Sequence, residues 1–248
     1  MEFITLITGG SRGIGRATAR YLAGKGHKIC IGYRTQQDSA NSLLEEIRAS
    51  GGTAIAVQVD IADEEQVIEL FKRTDKELGC LTGLVNNAAI LKPQATIEQL
   101  DAVRLNDIFA TNTVGSFLCA REAVKRMAFR HGGKGGAIVN VSSAAARLGS
   151  PHEYIDYAAS KGALDTLTIG LSLEVADQDI RVNAVRPGFI YTDMHADGGE
   201  PARVDRIKHS LPMKRGGHPM EVAQAIGWLL SDDASYVTGN FIDLAGGK

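Results

Sequence analysis

Short, uniformly apolar runs alternate with helix-patterned segments from residue 3 to residue 244, and no linker or 20–50-residue repeat interrupts the series. This alternation constrains the fold more than any other feature of the chain. The strand candidates are residues 3–8, 28–33, 53–60, 82–86, 135–142, 180–185 and 240–244. Between them, helical periodicity covers residues 13–23, 38–49, 64–78, 107–129, 154–175 and 222–230, with a polar helical stretch from Ile97. Strands that are apolar throughout need helices on both sides, which is the pattern of a parallel sheet. Right-handed crossovers leave few arrangements, and a doubly wound, Rossmann-like α/β sheet in a single domain over residues 1–248 is expected. Two stretches break the rhythm. Residues 131–136 form a glycine-rich turn, and residues 193–217 make a long irregular excursion expected to serve as a substrate loop or lid.

A chain of 248 residues with 44% hydrophobic and 23% charged residues can bury a full core. Its formal charge of −2, with Lys and Arg scattered, gives no electrostatic case for nucleic acid or an anionic membrane. Residues 1–8 read as one strand without a basic leader, so no signal peptide is expected and the protein is placed in the cytoplasm. Cys30, Cys80 and Cys119 stand far apart and read as reduced core residues. The six histidines show no i,i+4 pairing, so no metal site is expected.

The stretch Thr8-Gly9-Gly10-Ser11-Arg12-Gly13-Ile14-Gly15 follows the first strand and opens the first helix. Glycines at 9, 13 and 15 permit a tight turn and close approach of the backbone to a pyrophosphate, which the positive end of the following helix would face. An NAD site carries a carboxylate for the ribose 2′-hydroxyl about 20 residues further on. Here the second strand ends in Tyr33-Arg34-Thr35. Arg34 offers a bidentate fork for a 2′-phosphate, and Arg12 is placed to close on it from the other side, so NADP(H) is favoured over NAD(H). Asp38 opens the next helix and reads as its N-cap.

Tyr157 and Lys161 are four residues apart on a helix and share one face. A free phenol titrates near ~10, too high for a base at neutrality, and an adjacent ammonium would lower it. Together with the glycine loop, the pair points to hydride chemistry.

These residues, with Asp60, Asn86-Asn87-Ala88, Asn112, Ser143, Pro187-Gly188 and Thr192, occur in an order and at spacings that resemble the short-chain dehydrogenases/reductases, over essentially the whole chain from Thr8 to Gly247. The resemblance implies that Thr8, Gly9, Ser11, Gly13, Ile14 and Gly15 hold the pyrophosphate and adenosine ribose. It places Asp60, with Ile61 beside it, on the adenine, and the turn at Asn87 and Ala88 along the cofactor. Tyr157 would donate or accept the proton, Lys161 would bind the nicotinamide ribose and lower the Tyr157 pKa, and Ser143 would hydrogen-bond the substrate oxygen. Ser142 competes for that last role, but the fourteen-residue gap from Ser143 to Tyr157 fits the family better. Asn112 would hold a water linking Lys161 to solvent, and Pro187, Gly188, Ile190 and Thr192 would meet the nicotinamide end. One departure is Ala89, where the family usually has glycine.

Proximity to these motifs makes Ala145, Tyr154, Met194 and His195 candidates for the substrate pocket. The expected activity is hydride transfer between NADP(H) and a carbonyl or secondary alcohol, with Tyr157 as general acid/base and a homotetramer as the assembly the resemblance implies. Two rivals stand beside it. One is a 3-oxoacyl-[acyl-carrier-protein] reductase, which calls for a basic docking patch such as Arg121, Lys125, Arg126 and Arg130. The other is a non-catalytic NADP(H) sensor, for which retention of both Tyr157 and Lys161 has no use.

Overall fold

The computed structural model describes residues 2–248. Among these, seven strands form one fully parallel sheet in the order β3-β2-β1-β4-β5-β6-β7. They are β1 (Ile4–Thr8), β2 (Lys28–Tyr33), β3 (Ala54–Gln58), β4 (Gly83–Asn86), β5 (Gly136–Val141), β6 (Ile180–Pro187) and β7 (Phe241–Leu244). The helices are α1 (Gly13–Ala23), α2 (Gln37–Ala49), α3 (Glu64–Leu78), α4 (Ala102–Phe109), α5 (Gly115–Met127), α6 (Ala145–Leu148), α7 (Ile155–Glu174), α8 (Met194–Asp197), α9 (Arg203–Ile207) and α10 (Pro219–Leu230).

Successive strand residues point to opposite faces, and the two cores divide accordingly. Leu6, Leu84 and Ile138 pack with Phe71 and Cys119 on one side; Ile7, Val85 and Val139 pack with Leu22, Leu43 and Ile226 on the other. This is the doubly wound sheet expected from strands that are apolar throughout. The strand order reverses direction between β1 and β4, where the loops leaving their carboxyl ends diverge and open a crevice. No helix among the described residues is long and apolar enough to cross a membrane.

Four local expectations differ from the structure. The helix expected at 107–129 is broken by a π-helical turn, Ala110–Val114, between α4 and α5. Such a turn takes in one extra residue, and Asn112 within it is fully buried. Asp38 stands in the first turn of α2, whose N-cap is Gln36. Cys30 and Cys119 are buried, their thiols pushed up to about 12 by burial, but Cys80 is exposed. Finally, residues 193–217 are not an irregular excursion: they carry α8, α9 and a 3₁₀ turn, Lys208–Ser210.

Candidate active site

The glycine loop is built on a buried weld between β1 and β4. The Thr8 hydroxyl accepts from the backbone N–H groups of Asn87 and Ala88, both at 3.0 Å, and donates to the Val85 carbonyl at 3.4 Å. Asn87 Nδ2 donates to the carbonyls of Thr8 at 2.8 Å and Gly9 at 3.0 Å. Thr8 is therefore buried with its hydroxyl engaged inside the protein, and it braces the loop from below instead of facing a ligand. Gly13 adopts φ +53°, a left-handed conformation that a side chain would strain. At Gly15 a Cβ would lie 2.6 Å from Asn87 Nδ2 and 3.0 Å from Gly10 Cα, so the first turn of α1 can sit this close only without one. The N-cap of α1, Arg12, makes no side-chain cap, and the first turn holds no acid. Its free N–H groups and positive dipole end are left for an anion.

A cleft of about 720 Å³ opens over this loop. Ser11, Arg12, Gly13 and Ile14 form its floor, Arg34, Asp60 and Ile61 one end, Asn87 and Ala88 a wall, and Thr192, Met194 and Asp197 the opposite rim. Both arginines already hold carboxylates. Arg34 Nη1 lies 3.8 Å from Asp60 Oδ2, and Arg12 forms a salt bridge with Asp197 on α8. These residues fit an adenine dinucleotide: a helix end free of acids, a backbone cradle that side chains would fill, and guanidinium groups at the adenosine end.

The chemical group lies on α7, just beyond β5. Lys161 is only 2% exposed, and its ammonium donates to the Val141 carbonyl at 2.7 Å. Burial drives its pKa down to about 8, with the Asp165 carboxylate acting against that shift. The Lys161 Nζ stands 5.6 Å from the Tyr157 ring centroid. The expected lowering of the Tyr157 pKa is not what this arrangement gives. Tyr157 is half-buried, and desolvation pushes its phenol up to about 12 while the Ser143 hydroxyl beside it pulls the other way. The reason is geometric: the ammonium is turned to Val141 and not to the phenol oxygen.

The two candidate serines are separated by their partners. Ser142 is buried and donates to Asp165 Oδ1 at 2.6 Å, whereas Ser143 is half-buried and accepts from the Ala145 N–H at 3.1 Å. Asn112 uses its side chain fully, accepting from Ile90 N at 2.8 Å and donating to Ile90 O at 3.0 Å and Ser160 Oγ at 3.1 Å. Ser160 in turn donates to the Tyr157 carbonyl at 2.7 Å, so Asn112 ties the loop after β4 to the turn that carries Tyr157. Pro187 ends β6 and Gly188 packs its Cα side against Ala245. The Ile190 carbonyl is occupied by His195 Nε2 at 2.9 Å.

Of the substrate-pocket candidates, Met194 lines the cleft and Ala145 adjoins Ser143. His195 is half-buried and burial holds its imidazole below the usual range. Tyr154 is a correction: it is buried, donates its hydroxyl to the Gly198 carbonyl at 3.1 Å, and lies under the Arg203 guanidinium, 5.0 Å from its ring centroid. It anchors the 193–217 segment, expected to serve as a lid. Sequence reasoning also missed the residues that fix that segment. Arg203 is buried and binds Glu153 and Glu200, Arg206 binds Glu200, and Gln94 Nε2 donates to Glu200 at 3.0 Å. Glu200 and Arg203 stand at i,i+3 spacing, but no spacing in the chain announces Glu153 or Gln94 as partners.

Fold and site together define a nucleotide-dependent oxidoreductase of the doubly wound class. A family model described as enoyl-(acyl carrier protein) reductase matches residues 9–248. The chain is 63% identical over 245 residues to the "uncharacterized oxidoreductase YgfF" of Escherichia coli, covering 99% of each chain. It is 34% identical over 247 residues to the 3-oxoacyl-[acyl-carrier-protein] reductase FabG of Staphylococcus epidermidis, covering all of this chain and 99% of that one. Among solved structures, a short-chain dehydrogenase from Burkholderia cenocepacia in complex with NADP superposes with a TM-score of 0.89 at 30% identity, covering 98% of this chain and 96% of that one. The protein belongs to the short-chain dehydrogenase/reductase family and is an oxidoreductase acting on CH–OH or C=O groups with a nicotinamide cofactor.

Proposed function

We propose that this chain is an NADP(H)-preferring carbonyl reductase or alcohol dehydrogenase with Tyr157 as general acid/base, working as a cytoplasmic homotetramer. The observation that carries the reading is a fully buried lysine beside a half-buried phenol, with the Ser143 hydroxyl next to that phenol. Burying an ammonium is costly, and a fold keeps one where its charge has a task. When bound, the nicotinamide supplies or accepts the hydride.

In reduction, Tyr157 is fully protonated at neutral pH and passes its proton from Oη to the developing alkoxide. Ser143 donates a second hydrogen bond to the same oxygen, where negative charge grows. Lys161, moved from Val141 toward the site, supplies the positive charge that steadies the phenolate left behind. Asn112 donates to Ser160, which donates to the Tyr157 carbonyl, and so steadies the turn of α7 that carries Tyr157. Gly9, Ser11, Gly13, Ile14 and Gly15 take the pyrophosphate. Arg34 and Arg12 exchange their carboxylate partners for the 2′-phosphate, and the absence of an acid at the end of β2 supports the preference over NAD(H). Exposed Val114, Phe117, Ile169 and Leu173 on the helices around the π turn support assembly into an oligomer.

The FabG likeness favours a second reading, reduction of a 3-oxoacyl group on an acyl carrier protein. The expected basic patch gives it little help. Arg121 pairs with Glu64, Lys125 with Glu122, and Arg126 with Asp75 and Glu122, so three of the four cations in this row already hold carboxylates. The test is oxidation of NADPH and NADH over ketones, aldehydes, diketones, sugars and 3-oxoacyl thioesters, carrier-bound and free. Turnover with NADPH well above NADH is expected, and Tyr157→Phe is expected to lower it by about 10²–10⁴-fold while leaving cofactor binding in place. Equal rates in the variant would remove Tyr157 from the mechanism. NADPH bound without turnover of any substrate would favour the sensor.

A further inference from the structure

The salt bridge between Arg12 and Asp197 joins positions 185 residues apart and crosses the cleft from the glycine loop to the end of α8. Both Nη atoms of the guanidinium point at the carboxylate, with Nη1 at 3.5 Å from Oδ1 and Nη2 closer to Oδ2. The remaining lid ion pairs in the described residues run within the lid or to its hinge-side neighbours Glu153 and Glu221. Asp197 alone among them reaches the phosphate loop. Arg12 has no competing duty there, because as N-cap of α1 its side chain caps nothing.

We infer that Asp197 is a cofactor-discriminating residue: it competes with the 2′-phosphate of an adenine dinucleotide for Arg12, and thereby couples recognition of that phosphate to release of α8. This rests on the reading that Arg12 meets the 2′-phosphate. The end-on pair of N–H groups of a guanidinium is one bidentate surface, and Asp197 occupies it. When Arg12 turns to a phosphate, Asp197 is left unpaired on the rim of a cleft that now holds a second anion. The lost pairing and the repulsion both weigh against the phosphorylated cofactor. Neither weighs against its 2′-hydroxyl counterpart. By reciprocity, whatever weakens the Arg12–Asp197 pair favours NADP⁺, and bound NADP⁺ loosens α8.

The experiment is calorimetric titration of the full chain with NADP⁺ and with NAD⁺, for wild type, Asp197→Asn, Arg12→Met and the double variant. Both side chains are 41% exposed, so the fold tolerates the changes and the effect is that of a surface pair. Asp197→Asn is expected to tighten NADP⁺ about two- to fivefold and leave NAD⁺ unchanged, with the gain abolished in the Arg12→Met background. In parallel, amide exchange at residues 193–198 is expected to be faster in wild type with NADP⁺ than with NAD⁺, and equal in Asp197→Asn. An unchanged ratio of the two affinities in Asp197→Asn, or equal tightening of both cofactors, overturns the inference. A wild-type ratio near one instead overturns the NADP(H) preference, and the change in ratio on mutation still decides the role of Asp197.

Discussion

The glycine loop and the 193–217 segment, the proposed lid, line one cleft, and they are held in place by different forces. The loop is fixed by backbone shape and buried neutral hydrogen bonds: Thr8 and Asn87 weld β1 to β4, and Gly15 lets α1 press onto the turn. The lid is fixed by side-chain charge, with Arg203 and Arg206 gripping Glu153 and Glu200. Neutral bonds out of solvent are insensitive to salt and pH, whereas paired charges respond to both. The rigid half of the site therefore belongs to the part expected to grip the invariant end of the cofactor. The segment proposed as a lid is tied by paired charges, which salt and acid weaken.

Gly15→Ala should break the rigid half and gives the largest effect. The added methyl meets the backbone at the Gly9 carbonyl and Gly10 Cα, and Asn87 Nδ2, a side-chain end held by two hydrogen bonds to the Thr8 and Gly9 carbonyls. Overpacking of this kind costs about 1–3 kcal/mol, and a melt should shift down by roughly 3–10 °C with cofactor binding lost alongside. A melt within a degree of wild type would mean that the turn gives way easily and the weld is not rigid. Arg203→Met should break the other half with a smaller global effect. It leaves Glu153 and Glu200 without their buried partner, but Arg206 remains on Glu200. Amide exchange across residues 198–210 should rise about tenfold or more and KM should increase, while exchange in β1 and α1 stays as in wild type. A uniform rise over the whole chain would show that the lid is part of the global folding unit.

The same division explains what the amino-acid sequence announced. The cradle was legible because its causes are local: a strand, glycines at fixed offsets and a helix start lie within residues 4–23. Tyr157 and Lys161 were legible because one helical turn brings them together, although the direction in which the ammonium points was not, since Val141 arrives from another strand. The attachment of the 193–217 segment to the rest of the fold was not legible because those partners are distant, although the Glu200–Arg203 and Asp205–Lys208 pairs are local. Glu153 is 50 residues from Arg203, and Asp197 is 185 from Arg12. Tyr154 illustrates this: three residues before Tyr157 it suggests a pocket wall, yet it is buried and its hydroxyl is spent on the Gly198 carbonyl. The π turn escaped because Ala110–Val114 carries no proline or glycine to mark a break between α4 and α5.

Acid should separate the two halves without any mutation, and its effect is the smallest of the three. Arg206, with Arg203 behind it, holds the Glu200 carboxyl down to about 2 from its usual 4.5. A depressed carboxylate contributes stability that is present above its unfolded pKa and lost as pH falls through the folded one. The lid should thus keep its attachment down to about pH 4.5 and loosen progressively between there and pH 2. The Thr8–Asn87 weld contains no titratable group, so nothing in it changes over that range. Much of the Glu200 side chain's environment is solvent-screened, which keeps the effect local: exchange at residues 194–207 should rise severalfold from pH 5 to pH 3, after correction for intrinsic rates, before residues 4–23 respond. Simultaneous loss of protection in both segments would mean that the lid's ion pairs and the cradle unfold as one unit, and that the contrast between neutral and charged fastening does not govern how this cleft opens.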